Sequence, residues 1–234
     1  MRALLLAAGL GTRLRPITDK IPKCLVPICG KPLLGYWLDL LLPNGIDRIL
    51  INTHYLPGAV HSYIASSPWK DSIELVHEHE LLGTGGAVLR NRNFFRNESF
   101  LVTHADNLTR FDTLNFLKAH ACRPSGVEIT MMTFDTDIPK TCGIVEQDEH
   151  GIVTAFHEKS ASPPGNRANA AVYIFEPPVL DFLAGIGREV IDLSLEVLPH
   201  YVALRGIQTY HNTDYHRDIG SLESLDCAER EFNI

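Results

Sequence analysis

The sequence lacks the features that mark several large classes of protein. No apolar run approaches the roughly 20 residues needed to span a bilayer, and Met1-Arg2 leads straight into a strand-like segment without a signal-peptide cleavage pattern. The expected location is therefore the cytoplasm, with no membrane partner. Long Lys/Arg runs are also missing, and 28 acidic against 21 basic residues give a formal charge of -7. That balance speaks against nucleic acid as a partner, which needs an extended basic surface. The five cysteines, Cys24, Cys29, Cys122, Cys142 and Cys227, form no CxxC pair and match no His spacing, so neither a disulfide framework nor a structural zinc site is expected. There is no Gly-Lys-Ser/Thr phosphate loop, no G-x-G-x-x-G dinucleotide fingerprint and no G-x-S-x-G nucleophile elbow. Internal repeats, low-complexity tracts and an interdomain linker are absent as well.

What is present is a chain of 234 residues, 45% hydrophobic, long enough to bury a substantial core as one domain. Strand-like apolar runs alternate with helix-like stretches through the first two-thirds, the pattern of an α/β domain with a largely parallel sheet. Residues 3–8 read as a buried strand. Pro32 opens a helix whose apolar face carries Leu33, Tyr36, Trp37, Leu40 and Leu41, and Pro43-Asn44-Gly45 closes it. Further strands are predicted at 48–52, 73–77 and 99–103, with helices near 58–65 and from about 85. The third of these strands ends in His104-Ala105-Asp106-Asn107, at the strand terminus where open α/β sheets collect ligands. After a strand over 127–134, residues 143–146 and 152–156 flank a turn and predict a hairpin. A strand at 171–175, helices at 179–184 and 193–201, a strand at 207–211 and a helix from about Ser221 complete the pattern.

The segment Leu6-Ala7-Ala8-Gly9-Leu10-Gly11-Thr12-Arg13 ends the first strand in a glycine-rich turn. Gly9 and Gly11 let the backbone approach a ligand closely, and successive N–H groups in such a turn form a nest for phosphate oxygens. Alone, a turn of this kind also serves merely to join a strand to a helix. Arg13, Arg15, Lys20 and Lys23 fall within eleven residues, opposed only by Asp19, which implies a local cationic site in an acidic chain. Ordinary solvated Arg and Lys are the alternative.

Gly9-Leu10-Gly11-Thr12-Arg13-Leu14-Arg15-Pro16, followed by Pro22-Lys23-Cys24-Leu25-Val26-Pro27 and Gly30-Lys31-Pro32-Leu33, closely resembles the signature of the nucleotide-sugar pyrophosphorylases, the sugar-1-phosphate nucleotidyltransferases. The resemblance runs along nearly the whole chain and is closest to the compact bacterial mannose- or heptose-1-phosphate guanylyltransferases. It implies a Rossmann-like three-layer sandwich with a mixed, mainly parallel central sheet and a small antiparallel sugar-side excursion, with residues 1–234 forming one nucleotidyltransferase domain. It also implies site residues. Leu6, Ala8, Gly9, Gly11, Thr12 and Arg13 would surround the nucleotide, with Arg13 on the triphosphate and Lys23 neutralising the reacting phosphate. Leu82-Gly83-Thr84-Gly85-Gly86-Ala87 resembles the family segment beside base and sugar, which brings in Gly83, Thr84 and Gly86, with Glu80 upstream as a candidate contact to the base.

By the same resemblance Asp106 and Asp218, the latter in Arg217-Asp218-Ile219-Gly220, would bind Mg2+, which commonly takes one or two carboxylates plus phosphates and water. Glu158, Lys159 and Asn169 match the sugar-phosphate side. Two departures stand out: Ala105 and Ala171 each replace a glycine common in the family. Read without the resemblance, Asp106 and Asp218 are also ordinary turn or helix-cap residues, and Glu158-Lys159 an exposed charge pair.

The implied reaction condenses an NTP, with GTP favoured, and a sugar 1-phosphate into an NDP-sugar and pyrophosphate. Uridylyl, thymidylyl or cytidylyl transfer to another sugar phosphate is the alternative, as are cytidylyl transfer to phosphocholine and a catalytically silent nucleotide-binding homologue. His54, His77, His79, His104, His157 and His216 show no ordered acid–base partner in the sequence, and most of them are expected to be structural or solvent-facing. Oligomeric state, a homo-oligomer included, is left open by the sequence.

Overall fold

The computed structural model describes residues 1–232. The chain divides into two compact units, one made of Met1–Leu81, Thr103–Thr113 and Asp214–Ile234, the other of Leu82–Val102 and Leu114–Thr213. The fold class is α/β, with a mixed, mainly parallel central sheet and small antiparallel sheets beside it. Among the described residues no helix is long and apolar enough to cross a membrane.

In the first unit, strand Arg2–Leu6 runs parallel to Arg48–Thr53, which runs parallel to Ile73–His77. Parallel neighbours need crossover connections, and helices Leu33–Leu41 and Pro57–Ser66 lie on the two connections. Ala3, Leu4, Leu5, Ile49 and Ile51 are fully buried, as the near-continuous apolar runs of central parallel strands require. Helix Leu33–Leu41 buries Leu33, Leu34, Trp37, Leu38 and Leu41, an i, i+1, i+4, i+5, i+8 stripe with helical period. It starts at Pro32 and gives way to a 3-10 turn, Leu42–Asn44, closed by Gly45 in the left-handed region at φ 93°.

Two short antiparallel sheets complete this unit. One pairs Pro27–Ile28 with Lys31–Pro32. The other pairs Asn107–Arg110 with Tyr215–Asp218 in the register Asp218 opposite Asn107, and neither of its strands is foreseen from the sequence. Helix Leu222–Glu231 follows, with Ser221 as N-cap in a capping box: Ser224 N–H donates to Ser221 Oγ at 3.1 Å, and Ser221 N–H to Ser224 Oγ at 3.0 Å.

The second unit joins Ile129–Asp135 antiparallel to Arg167–Phe175 and parallel to Ile207–His211. The predicted hairpin forms from Gly143–Gln147 and Val153–Glu158. Its core includes Phe100, stacked on Phe95 at 3.8 Å and edge-on to Phe175 at 5.7 Å. Residues 193–201, predicted as one helix, divide into a π-turn, Leu193–Val197, and helix Leu198–Ala203. Pro199 inside the stretch accounts for the break, since it has no N–H to continue an α-helical ladder.

Candidate active site

The glycine-rich loop is built by local chemistry. Gly11 adopts φ 63°, and a Cβ there would sit 3.0 Å from Thr18 Cγ2 and 3.2 Å from Lys23 Cβ, so both backbone angle and close approach demand glycine. Its carbonyl accepts from Leu14 N–H at 3.0 Å and from Thr18 Oγ1 at 2.7 Å, closing a 3-10 turn over Thr12–Leu14. Gly9 has open space around it. A further 3-10 turn, Lys23–Leu25, buries Lys23 and Cys24.

Three separate segments carry the predicted groups, and one apolar cluster fixes all three. Leu14 follows Arg13, Leu108 lies two residues after Asp106, and Ile219 follows Asp218; all three are fully buried in the cluster with Val26, Ile28, Leu33 and Phe232. The Asn107–Arg110 and Tyr215–Asp218 pairing does the rest, since it places Asp218 beside Asn107 and lets Ile219 N–H donate to the Asp106 carbonyl at 3.3 Å. The helix-cap alternative for Asp218 is answered by Ser221, which takes that task. Asp106 does occupy a turn between two strands, yet its carboxylate is engaged elsewhere.

Lys23 Nζ donates to Asp106 Oδ2 at 2.5 Å and lies 3.4 Å from Asp218 Oδ1, with the lysine side chain only 9% exposed. Burial alone would raise the Asp106 pKa, but the Lys23 ammonium, charge at His104 and hydrogen bonds from Lys23 and the backbone together hold it below the ordinary carboxylate value. The same surroundings push the Cys24 thiol up to about 12, chiefly through burial and then through Asp106, so it stays protonated and unreactive. Burial, and after it His104, drives His216 down to about 3, which keeps that ring neutral. Gly9 to Leu14, Lys23, Leu81, Asp106 and Gly220 line a cleft of about 350 Å³. Arg13 borders it, and a Cβ on Gly220 would meet Arg13 Nη2 at 3.0 Å and Asp218 Oδ2 at 2.7 Å. The Arg13 guanidinium, the Lys23 ammonium and the Asp106 carboxylate therefore line one cleft with the glycine-rich loop, and the Asp218 carboxylate lies 3.4 Å from the same ammonium.

Of the other predicted residues in this unit, Leu6 accepts from Ala105 N–H at 3.0 Å. Ala105 itself is fully buried, so its methyl group fits where the family commonly has glycine. Ala8 is buried, and Thr12 and Glu80 are exposed. Arg15 is paired with Asp19 at the surface.

The sequence reading missed Asn52 and Glu78. Asn52 Oδ1 accepts from Ala7 N–H at 2.7 Å and its amide donates to the buried Glu78 carboxylate at 2.8 Å, while Glu78 N–H bonds the Thr53 carbonyl. This network ties together the ends of the three parallel strands directly under the loop. A buried amide closing an otherwise apolar strand was the available signal. His54, stacked on His77, bonds the Glu78 carbonyl at 2.8 Å, a structural role as expected.

Gly83, Thr84, Gly86, Glu158, Lys159 and Asn169 all lie in the second unit. The glycines there are explained first by packing. Gly83 has φ 72° and a Cβ would lie 2.5 Å from the Ile191 carbonyl oxygen; one on Gly86 would strike the Glu189 carbonyl. Gly85 and Gly86 N–H both donate to Ile191 O, and Thr84 Oγ1 accepts from Leu193 N–H at 2.8 Å. Glu158 and Lys159 pair at 3.4 Å. Asn169 donates to Tyr173 Oη at 2.6 Å and accepts from Ala171 N–H at 2.9 Å. Ala171 sits at φ 53° in a bulged stretch of strand, the left-handed region where glycine is the easy residue. The family's usual glycine thus answers to a backbone angle that Ala171 adopts under strain.

The donor set also bears on a metal. Among the described residues no group of three or more His, Cys, Asp or Glu could hold an ion. Two carboxylates that converge on one ammonium, however, fit a divalent cation whose remaining ligands come from phosphate and water.

A family model for nucleotidyl transferases matches residues 2–233. The chain belongs to that family. A mannose-1-phosphate guanylyltransferase of Mycobacterium tuberculosis is 34% identical over 226 residues, 95% of this chain and 62% of that protein. A UTP–glucose-1-phosphate uridylyltransferase of Synechocystis is 31% identical, over 86% of this chain and 55% of that protein. The chain thus spans about three-fifths of the length of the curated relatives it matches. Among solved structures, HddC from Yersinia pseudotuberculosis complexed with GMP-PN superposes with a TM-score of 0.80 at 25% identity, covering 99% of each chain. A Bacillus anthracis protein in complex with a sucrose gives 0.89 at 21% identity, covering 100% of this chain and 97% of that one, a likeness of fold.

Proposed function

We propose that this nucleotidyl transferase family member is a sugar-1-phosphate nucleotidyltransferase that joins an NTP to a sugar 1-phosphate, releasing pyrophosphate, with GTP and a mannose- or heptose-type phosphate as favoured substrates. The observation that carries the reading is the convergence of Lys23, Asp106 and Asp218 beside Arg13 and the Gly9 to Leu14 loop. The preference for GTP is supported by the guanylyltransferase relatives and by the guanine-nucleotide complex of HddC. Residues 1–234 are proposed to work as one nucleotidyltransferase domain, in the cytoplasm.

In this reading loop N–H groups and the Arg13 fork hold the triphosphate, and bidentate guanidinium contacts set its orientation. Lys23 supplies a compact charge at the reacting phosphate. An oxygen of the sugar 1-phosphate forms a bond to the α-phosphorus while the bond from that phosphorus to the bridging oxygen breaks, in line, and pyrophosphate leaves. The attacking oxygen is already anionic, so no general base is needed. The chain contributes alignment and preorganised positive charge. A divalent cation, Mg2+ in our proposal, would be held by Asp106 and Asp218 and would supply further charge neutralisation. Leu6, Ala8, Gly9, Gly11, Thr12, Glu80, Gly83 and Thr84 are assigned to the nucleotide, and Gly86, Glu158, Lys159 and Asn169 to the sugar phosphate.

The test is a panel of four NTPs against glucose, mannose, heptose and N-acetylhexosamine 1-phosphates, plus phosphocholine, followed by pyrophosphate release. Turnover that is fastest with GTP and a mannose- or heptose-type phosphate is expected. Equal use of all four nucleotides would remove the guanine assignment, and turnover confined to phosphocholine would remove the sugar.

A further inference from the structure

Building on the nucleotidyl-transfer reading, we propose that Lys23 is a built-in surrogate cation: its ammonium holds the Asp106–Asp218 pair against a free divalent metal and yields the pair only when a triphosphate offers the lysine a new anionic partner. Of the trio, the lysine has the longest and most flexible side chain. The backbone at Asp106 is held by the buried Ala105 and by bonds to Leu6 and Ile219, and that at Asp218 by its strand register and the buried Ile219. Lys23, by contrast, reaches the carboxylates on a flexible four-carbon stem that starts beside Gly11.

Charge makes the arrangement conditional. With Lys23 in place, a dication at the same two carboxylates would set three positive charges against two negative ones within a few ångströms. Moving Lys23 away without a partner would leave an ammonium whose side chain is 9% exposed unpaired, which is costly in a buried setting. A triphosphate held by the neighbouring loop and Arg13 removes both obstacles, because it attracts the lysine and adds oxygen ligands for the metal. Metal and nucleotide binding are then coupled, and the coupling is reciprocal. The two carboxylates also stay paired while they wait, so the site does not depend on a resident ion to keep its shape.

The test uses the full chain and Mn2+ alone, without nucleotide, read by the loss of free Mn2+ signal in electron paramagnetic resonance and by the thermal midpoint. Wild type should bind Mn2+ weakly. Lys23→Met, neutral and similar in length, should bind at least tenfold more tightly and gain several degrees of midpoint on addition of Mn2+. Lys23→Arg, which keeps the charge, should behave as wild type, and Lys23→Met/Asp106→Asn should lose the gained affinity. Tight Mn2+ binding by the unmodified chain overturns the proposal whether or not the variants fold. So does a Lys23→Met chain that binds no better than wild type, or a gain that survives Asp106→Asn. None of these readings uses turnover. Failure to release pyrophosphate in the substrate panel would remove the nucleotidyl-transfer reading and leave the Mn2+ comparison to be judged separately.

Discussion

Replacing Gly220 by alanine probes the site without touching any charged group. A Cβ at this position would lie 2.7 Å from Asp218 Oδ2 and 3.0 and 3.1 Å from the two Arg13 terminal nitrogens. Restoring an ordinary separation of 3.4 Å means moving the carboxylate oxygen by about 0.7 Å and the guanidinium by about 0.4 Å. Both are far ends of side chains, so the fold absorbs the change cheaply, and alanine also restricts the unfolded chain slightly. The thermal midpoint should therefore stay within roughly 2–4 °C of wild type, the shift of about 1 kcal/mol in a chain of this size. Catalysis tolerates less, since a misplacement near 1 Å costs on the order of 100-fold. We expect kcat/KM to fall about 10- to 100-fold, or roughly 1.4–2.7 kcal/mol of transition-state stabilisation, in a steady-state pyrophosphate assay with circular dichroism as the check on folding. Wild-type kcat/KM in a folded Gly220→Ala chain would refute the placement of Arg13 and Asp218 at the reacting phosphates.

Gly83→Ala should act on stability instead. A positive φ costs alanine about 1–2 kcal/mol, the clash with the Ile191 carbonyl adds to it, and a midpoint drop of at least roughly 4–8 °C is expected by calorimetry; an unchanged midpoint would mean that the segment packs differently. Acid should weaken the second unit through His120 and Glu176. Burial, reinforced by Arg123 and only partly opposed by the Glu176 bond, lowers the His120 pKa; Glu176 is lowered despite its burial by bonds from Ser99 and His120 and by Arg123. A depressed histidine means that the unfolded chain takes up its proton first, so stability declines as pH falls below the ordinary 6.5. The Glu176 contribution is complete above 4.5 and is lost as pH falls from there toward its lower folded value. Urea midpoints measured from pH 7.5 to 3.5 should fall over both windows in wild type and more shallowly in His120→Gln/Glu176→Gln; parallel curves would contradict the assignment.

Much of the fold is legible in the sequence because local signals agree with packing. The strands predicted at 73–77 and 207–211 coincide with Ile73–His77 and Ile207–His211, short segments in which β-branched residues recur. Pro32 and Gly45 mark the start and finish of their helix region from sequence alone. The short strands Asn107–Arg110 and Tyr215–Asp218 are invisible by the same logic. They are polar, four residues long and paired across more than a hundred positions, so neither periodicity nor turn chemistry announces them. That pairing is nonetheless what unites Asp106 with Asp218. Helix Thr113–Ala121 was overlooked as well. The candidate site residues stand out in the sequence as motifs, but the structural setting of each does not. Gly83 and Gly86 look like access points for a ligand and turn out to be in close contact with the 189–191 backbone, and Glu80 drew attention that the buried Glu78, two residues earlier, carries structurally.

The central claim is that Arg13, Lys23, Asp106 and Asp218 form one nucleotidyl-transfer centre. Pyrophosphate release with GTP and mannose 1-phosphate, measured side by side for wild type, Arg13→Ala and Asp106→Ala at matched circular dichroism, tests it most directly. The account predicts a nucleotide sugar and pyrophosphate in equal amounts from wild type, and at least about a 100-fold lower rate in each variant, as expected when a preorganised charge at the transition state is removed. Near-normal turnover in both folded variants would contradict it.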